Sequence, residues 1–391
     1  MFQVVWVVLL ITKMVNGYYR SHACFMLRNN QNLVKAGLIG CGAVAVRGLI
    51  PGWMPANHPA RPTPPPFLDF GGSEGLYIVS LCDPNSHHLS QAHKLLPHAS
   101  VFSSWSKMRN SVNDLDAIII ATPNNLHEQM VLDALEDNYD VFVEKPLALT
   151  YQGIDRICNL SQKKSRIVML NLPWRFSAVA RGLFEAIESG VVGKLLSVQG
   201  EFRHAGPKAW APGSQWYFGQ ENPGGSLTDL GSHILDIIVT IVGEPVNCLT
   251  CHNDCYETYQ RTTCQLLFKS GVKGSALMGW DAVHPVFQIV VTGTKGVLCA
   301  ILAGGFKGLF FNSTKSNMVQ STKISHEQLI NSVKGWRKLT LPTVNTDHQS
   351  NPFSHFTACL RSRSQPITAA NSVRMTEELV VEACSQLNQQ L

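Results

Sequence analysis

The segment LVKAGLIGCGAVAVRGLI, residues 33–50, constrains the fold of this chain more than any other stretch. A short, mainly apolar strand runs into a glycine turn, and a helix opens beyond it. Gly40-Cys41-Gly42-Ala43-Val44-Ala45 fits the pattern G-x-G-x-x-A. The first glycine permits the sharp turn, and the second lets the backbone approach a pyrophosphate. The small third residue lets helix and strand pack closely. The helix N-terminus offers free amides and positive potential to phosphates. This unit predicts a parallel sheet that binds a dinucleotide.

The strands that follow agree. LYIVSLCDP (76–84), DAIIIATPNN (116–125) and DVFVEKP (140–146) are apolar runs, and LHEQMVLDALEDN (126–138) has helical periodicity. Strand alternating with helix at short intervals argues an α/β unit with crossover helices, over residues 34–150. Residues 51–75 are dense in Pro and Gly and are expected to form an inserted loop, because proline suits neither a ladder nor a helix interior. Asp83 ends the second strand. A carboxylate there accepts from adenosine ribose hydroxyls and repels a 2′-phosphate, so NAD is expected in preference to NADP. The usual gap from the glycine turn is about 20 residues, and the insertion accounts for the excess.

From about residue 151 to 391 the pattern changes to a second, α+β domain. Strand-like TTCQLLFKSGVKGSALMGW and VFQIVVTGTKGVLCAIL contain glycine-bearing turns, as in antiparallel hairpins. Helices are expected at 180–194 and at about 373–390. Between them, GGSLTDLGSHILDIIVTIVGEP (224–245) carries two faces. Leu227, Leu230, Ile234, Ile237, Ile238 and Ile241 form an apolar face for burial. Asp229, His233, Asp236 and Thr240 form a polar stripe on the same helix. An acid and an imidazole one turn apart suit a cleft where protons move.

Composition narrows the classes. A net charge of +5, with no run of five basic residues, does not indicate a nucleic-acid partner. Eleven cysteines, scattered, suit reduced thiols. CLTCH (248–252) matches a haem-attachment pattern, and nearby cysteines invite a zinc reading. Yet PVNCLTCHND alternates like a half-buried strand, so no metal is expected. VVWVVLLIT (4–12) is too short to span a bilayer. Residues 1–33 are expected to be a signal-like or disordered leader, with a cytoplasmic location, or secretion if residues 1–17 are a signal peptide.

ATPNNLHEQMVLDALEDNYDVFVEKPLALT (121–150) resembles the glucose–fructose oxidoreductase/inositol dehydrogenase family, Gfo/Idh/MocA. The likeness rests on Thr122-Pro123-Asn124, His127 and Glu144-Lys145-Pro146. NLPWRFSA (171–178) and WYFGQENPGGSLTDLGSHILD (216–236) resemble two further segments of that family. The insertion at 51–74 departs from it, and Trp174 stands where an arginine is often found, which puts substrate identity in doubt.

The resemblance implies a Rossmann domain followed by an α/β domain with a broad, open, mostly antiparallel sheet. It implies that Lys145, Asp229 and His233 meet at a nicotinamide ring. His233 would take a hydroxyl proton, Asp229 would orient the imidazole, and Lys145 would steady a developing alkoxide. Thr122, Asn124, His127 and Glu144 join Gly40, Gly42, Ala43, Val44, Asp83 and Lys145 as expected cofactor contacts. Trp174, Arg175, Trp216 and Tyr217 are expected at the substrate, a sugar, cyclitol or sugar derivative. The expected activity is a nicotinamide-dependent dehydrogenase. Alternatives are a glycosidase working through transient oxidation and a non-catalytic NAD-binding regulator. A homodimer or homotetramer is expected, since exposed apolar sheet faces seldom stay bare.

Overall fold

The computed structural model describes residues 33–56, 58, 61–62, 72–73, 75–211, 217, 225–256, 259–304, 307–313, 336–341 and 351–389. Two sheets organise it. The first is parallel, built from β1 (Val34–Ile39), β2 (Leu76–Cys82), β3 (Ser100–Phe102), β4 (Ala117–Ile120), β5 (Asp140–Val143) and β6 (Val168–Leu170). Their spatial order, β3-β2-β1-β4-β5-β6, reverses direction between β1 and β4. That switch point is where a doubly wound sheet opens its ligand crevice. All four residues of β4 and of β5 are buried, because helices cover both faces of a parallel sheet.

Helices connect these strands: α1 (Ile50–Trp53), α2 (Ser86–Leu95), α3 (Trp105–Ser111), α4 (His127–Glu136) and α5 (Tyr151–Lys164). Asn85 caps α2 and Thr150 caps α5 through side-chain oxygens, satisfying amides that a helix start leaves free. Residues 51–53 are helical, which corrects the expectation of a loop from residue 51 onward. Pro51 lies in a continuous helical run over 43–53, directly after the wide π-type turn Ala45–Leu49. Much of the rest of the insertion, like the leader at 1–32, lies outside the described residues.

The second sheet comprises β7 (Leu195–Arg203), β8 (Val246–Tyr256), β9 (Tyr259–Phe268), β10 (Lys273–Gly279), β11 (Val286–Gly293), β12 (Val297–Ala303), β13 (Gly308–Asn312) and β14 (Arg337–Lys338). Its order is β14-β13-β12-β11-β7-β10-β9-β8, with every pairing antiparallel except β10 on β7. One face packs on α6 (Ala178–Glu188) and on α8 (Ser232–Val242), which follows the short α7 (Pro207–Trp210). The CLTCH segment lies within edge strand β8, with Cys248 exposed and Cys251 buried opposite Cys264 of β9.

Two helices return to the first sheet. α9 (Pro352–Ser362) inserts Phe353 and Phe356 beside Trp53 and Phe142. α10 (Ala370–Asn388) packs against α5 and β6 on one side and against α8 and β8 on the other. It thereby joins both cores. The sixth strand of the first sheet, at 168–170, lies beyond the boundary expected at residue 150. No helix among the described residues is long and apolar enough to cross a membrane.

Candidate active site

A cleft of about 950 Å³ runs along the C-terminal ends of β1, β2, β4 and β5. Gly40 has φ +88°, and a Cβ there would lie 2.4 Å from the Ala121 carbonyl oxygen, so only glycine fits the turn. A Cβ at Gly42 would meet nothing within 4 Å, so this glycine faces open cleft. Ala43 and Val44 also line the cleft, and Ala45 is fully buried at the start of a wide π-type turn. Asp83 is buried and ties this end together. Its Oδ2 accepts from the Cys41 amide at 2.8 Å, and its Oδ1 from the Asn85 amide at 2.8 Å. The His88 imidazole lies 3.5 Å from Oδ2.

The next two strand ends supply Thr122, Asn124, Glu144 and Lys145 to the cleft wall. Glu144 is a buried carboxyl that accepts from Asn171 Nδ2 at 2.7 Å, and burial pushes its pKa up. His127 is placed differently from the expected cofactor contact. Its ring is fully buried, with Nδ1 2.7 Å from the Pro146 carbonyl and Nε2 2.9 Å from the Thr122 carbonyl. A neutral ring carries one N–H, so it donates to one of these carbonyls and only faces the other. His127 therefore lies between the two strand-end loops.

The helix with the polar stripe approaches from the second sheet. Its first turn, Leu227–Gly231, is a wide π-type turn that carries Asp229, and α8 continues directly. Lys145 Nζ donates to Asp229 Oδ1 at 3.1 Å and to the Asp229 carbonyl at 2.6 Å. Trp280 Nε1 donates to Asp229 Oδ2 at 3.0 Å, and His204 Nε2 lies 3.6 Å from the same oxygen. His204 Nδ1 accepts from the Gly206 amide, which places the ring proton on Nε2, facing the carboxylate. Burial would raise the Asp229 pKa, but Lys145 and His204 outweigh it and hold the carboxyl well below its usual range.

His233 lies one turn further on, its ring 6.0 Å from that of Phe202. Its Nδ1 is buried with no hydrogen-bond partner among the described residues. Asp229 thus does not orient this imidazole as expected, because its oxygens are taken by Lys145 and Trp280 with His204 alongside. Burial, helped by Lys145, pushes the His233 pKa down to about 3, so the ring is neutral near pH 7. Tyr217, buried on the cleft wall, meets the Trp280 ring edge-on at 6.5 Å. The stripe's next member, Asp236, is 1% exposed and takes a paired bond from Arg175 Nε (2.8 Å) and Nη2.

Arg175 is therefore not the free fork expected at the substrate. Its guanidinium is held by Asp236 and by the Ile367 carbonyl. Trp174 is corrected likewise: it packs edge-on against the stacked pair Phe202 and Phe287, inside the core of the second sheet. Trp216 lies outside the described residues. Two residues at the site were not anticipated, His204 and Trp280. Each follows a strand end of the second sheet, and nothing in the local pattern marks them.

The buried imidazoles make stability depend on pH. Burial lowers the pKa of His233, His127 and His98 below the unfolded value. The unfolded chain then binds more protons, so stability is lost as pH falls below about 6.5. His233 alone contributes a slope of about 1.4 kcal/mol per pH unit down to its folded pKa. Glu377, pushed up to about 7 by burial, opposes this between about 7 and 4.5. Glu144 and Asp236, also pushed up by burial, oppose it as well, so the contribution of His233 is read by difference. Between pH 6.5 and 5, His233→Gln should lower the slope of stability against pH by about one proton's worth. An unchanged slope in His233→Gln would contradict the buried, neutral imidazole.

A family model described as the oxidoreductase family, NAD-binding Rossmann fold, matches residues 34–172, and the GFO/IDH/MocA C-terminal domain matches residues 181–299. The chain belongs to the Gfo/Idh/MocA oxidoreductase family. It is 30% identical over 174 residues to 2,7-anhydro-N-acetylneuraminate hydratase of Mediterraneibacter gnavus, covering 44% of each. It is 29% identical over 175 residues to D-glucoside 3-dehydrogenase of Escherichia coli K12, covering 44% of this chain and 48% of that one. The chain spans about half the length of these curated relatives. The WlbA dehydrogenase of Bordetella pertussis, solved with NADH and UDP-GlcNAcA, superposes with a TM-score of 0.68. That match covers 92% of this chain and 97% of the other at 20% identity, and it shows a shared fold.

Proposed function

We propose that this protein is an NAD-dependent dehydrogenase that oxidises a secondary hydroxyl of a sugar, cyclitol or sugar derivative. The observation that carries the reading is the Lys145–Asp229 pair at the cleft, reached from two different sheets, with His233 one turn beyond Asp229 and within electrostatic reach of both. Gly40, Gly42, Ala43 and Val44 would cradle the pyrophosphate of the cofactor. The open space at Gly42 fits a phosphate group. Asp83, Thr122 and Asn124 would hold the rest of the dinucleotide. NAD, when bound, supplies the hydride acceptor.

The chain's own groups do the remaining work. His233, neutral and with a free ring nitrogen, accepts the hydroxyl proton. Lys145 places positive charge beside the developing alkoxide oxygen. Asp229 holds the ammonium in place and, through Oδ2, fixes Trp280 and His204. Tyr217, on the cleft wall, would offer an aromatic surface to a polyhydroxylated ring, with Trp280 packed edge-on against it. Relatives named as a glucoside dehydrogenase and a sialic-acid-derivative hydratase support this substrate class.

The second imidazole, His204, favours one further reading. His204, 3.6 Å from Asp229 Oδ2, and His233, one turn along the helix, suit a glycosidase or hydratase that oxidises transiently and then moves a second proton. The products separate the two readings. A panel of cyclitols, aldoses and methyl glycosides, followed by absorbance of reduced nicotinamide, should give net reduction under the first reading and none under the second. Asp83 should make NAD bind more tightly than NADP in calorimetry. Asp83→Ser should shrink that preference about tenfold, as for losing a charge-assisted hydrogen bond. Tighter NADP binding in the unaltered protein would remove Asp83 from the discrimination.

A further inference from the structure

We propose that Glu377, on the C-terminal helix α10, is a positioning residue that holds the Lys145 loop against the helix that carries His233. The proposal rests on the reading of Lys145 as a group at the reacting oxygen. Glu377 is fully buried, 232 positions along the chain from Lys145. Its Oε2 accepts from the Leu147 amide at 2.6 Å, two residues beyond Lys145. His127, on α4, meets the same segment at the Pro146 carbonyl. Lys145-Pro146-Leu147 is thus held at its side chain by Asp229, at one carbonyl by His127 and at one amide by Glu377.

The other carboxyl oxygen faces α8. Glu377 Oε1 is buried without a hydrogen bond among the described residues, and so is the hydroxyl of Ser232, the residue before His233. Ser232 and Asp236 of α8 lie close enough to influence the Glu377 carboxyl, as does Lys145. One side chain on α10 therefore touches the loop that delivers Lys145 and adjoins the helix that delivers His233. α10 itself packs on α5 and β6 of the first sheet and on α8 and β8 of the second. A buried acid bridging elements from two sheets sets their relative placement, and misplacement by about an ångström is costly to a site of this kind.

A glutamine would preserve the device. Its carbonyl can accept from Leu147, and its amide can donate toward Ser232 and Asp236. A methionine fills the volume and removes the acceptor. Hydrogen exchange of the Leu147 amide, read without cofactor, is expected to quicken at least about tenfold in Glu377→Met and to stay near the parent rate in Glu377→Gln. NAD affinity should weaken by about threefold to tenfold in Glu377→Met, and the change should vanish in a Lys145→Ala background. A Leu147 amide protected equally in Glu377→Met would overturn the proposal, and so would an undiminished affinity loss in the Lys145→Ala background. Lys145→Ala alone tests the underlying reading. If it leaves NAD affinity and turnover unchanged while Leu147 exchange still responds to Glu377→Met, the role of Lys145 fails and the tie stands.

Discussion

His233→Ala is expected to lower kcat by about 10²–10⁴-fold, the range for losing a positioned base. The imidazole has the properties of a base in waiting. It is neutral because burial and Lys145 disfavour its charged form. Its Nδ1 has no partner among the described residues, so no protein donor competes for that nitrogen. NAD affinity should stay within about twofold, because the ring addresses the substrate and not the dinucleotide. An inert surface position would behave differently, with stability within about 0.5 kcal/mol and turnover intact. The acid limb of the rate profile should also sit below the ordinary histidine range, since the ring stays neutral until pH approaches about 3.

Lys145→Met is expected to damage stability and turnover together. Lys145 and Asp229 are 14% and 7% exposed, so the pair is largely removed from water. Removing one member of a buried pair leaves an uncompensated charge, and the usual cost is about 3–5 kcal/mol. Trp280 and His204 still face Asp229, which places the loss toward the low end of that range. Turnover should fall by about 10²-fold or more, since charge stabilisation of the alkoxide is lost. Adding Asp229→Asn should restore part of the stability and none of the turnover. Urea unfolding and kcat measured on the same samples separate the two effects. Full turnover in Lys145→Met would remove the ammonium from the chemistry.

The parallel sheet was legible because its signals are local. The glycine turn, the apolar strands and the Glu144-Lys145-Pro146 strand end each lie within a few residues of sequence. The helix from Leu227 to Val242 was legible from its apolar period, but the wide turn that presents Asp229 was not, since that period tolerates one extra residue. Arg175 and Trp174 were misplaced for a plain reason. A cation and an indole beside a motif look the same whether they meet a ligand or, as here, an aspartate 61 residues away and two phenylalanines. His127 was read as a ligand contact, yet its partners are two backbone carbonyls that no residue type encodes. His204 and Trp280 reach Asp229 only through the register of β7 beside β10, which pairs Arg203 with Gly279. The sequence does not mark helix α5, because only Ile154 and Ile157 in its buried stripe of Gly153, Ile154, Ile157, Cys158 and Ser161 are large and apolar.

A structure of the protein with NAD bound tests the central claim most directly. The pyrophosphate is expected over the Gly40–Val44 backbone. The nicotinamide ring is expected in van der Waals contact, about 4 Å, with the Lys145 side chain and on the His233 side of the cleft. A nicotinamide ring placed away from Lys145, Asp229 and His233, with these three residues unchanged, would contradict that claim.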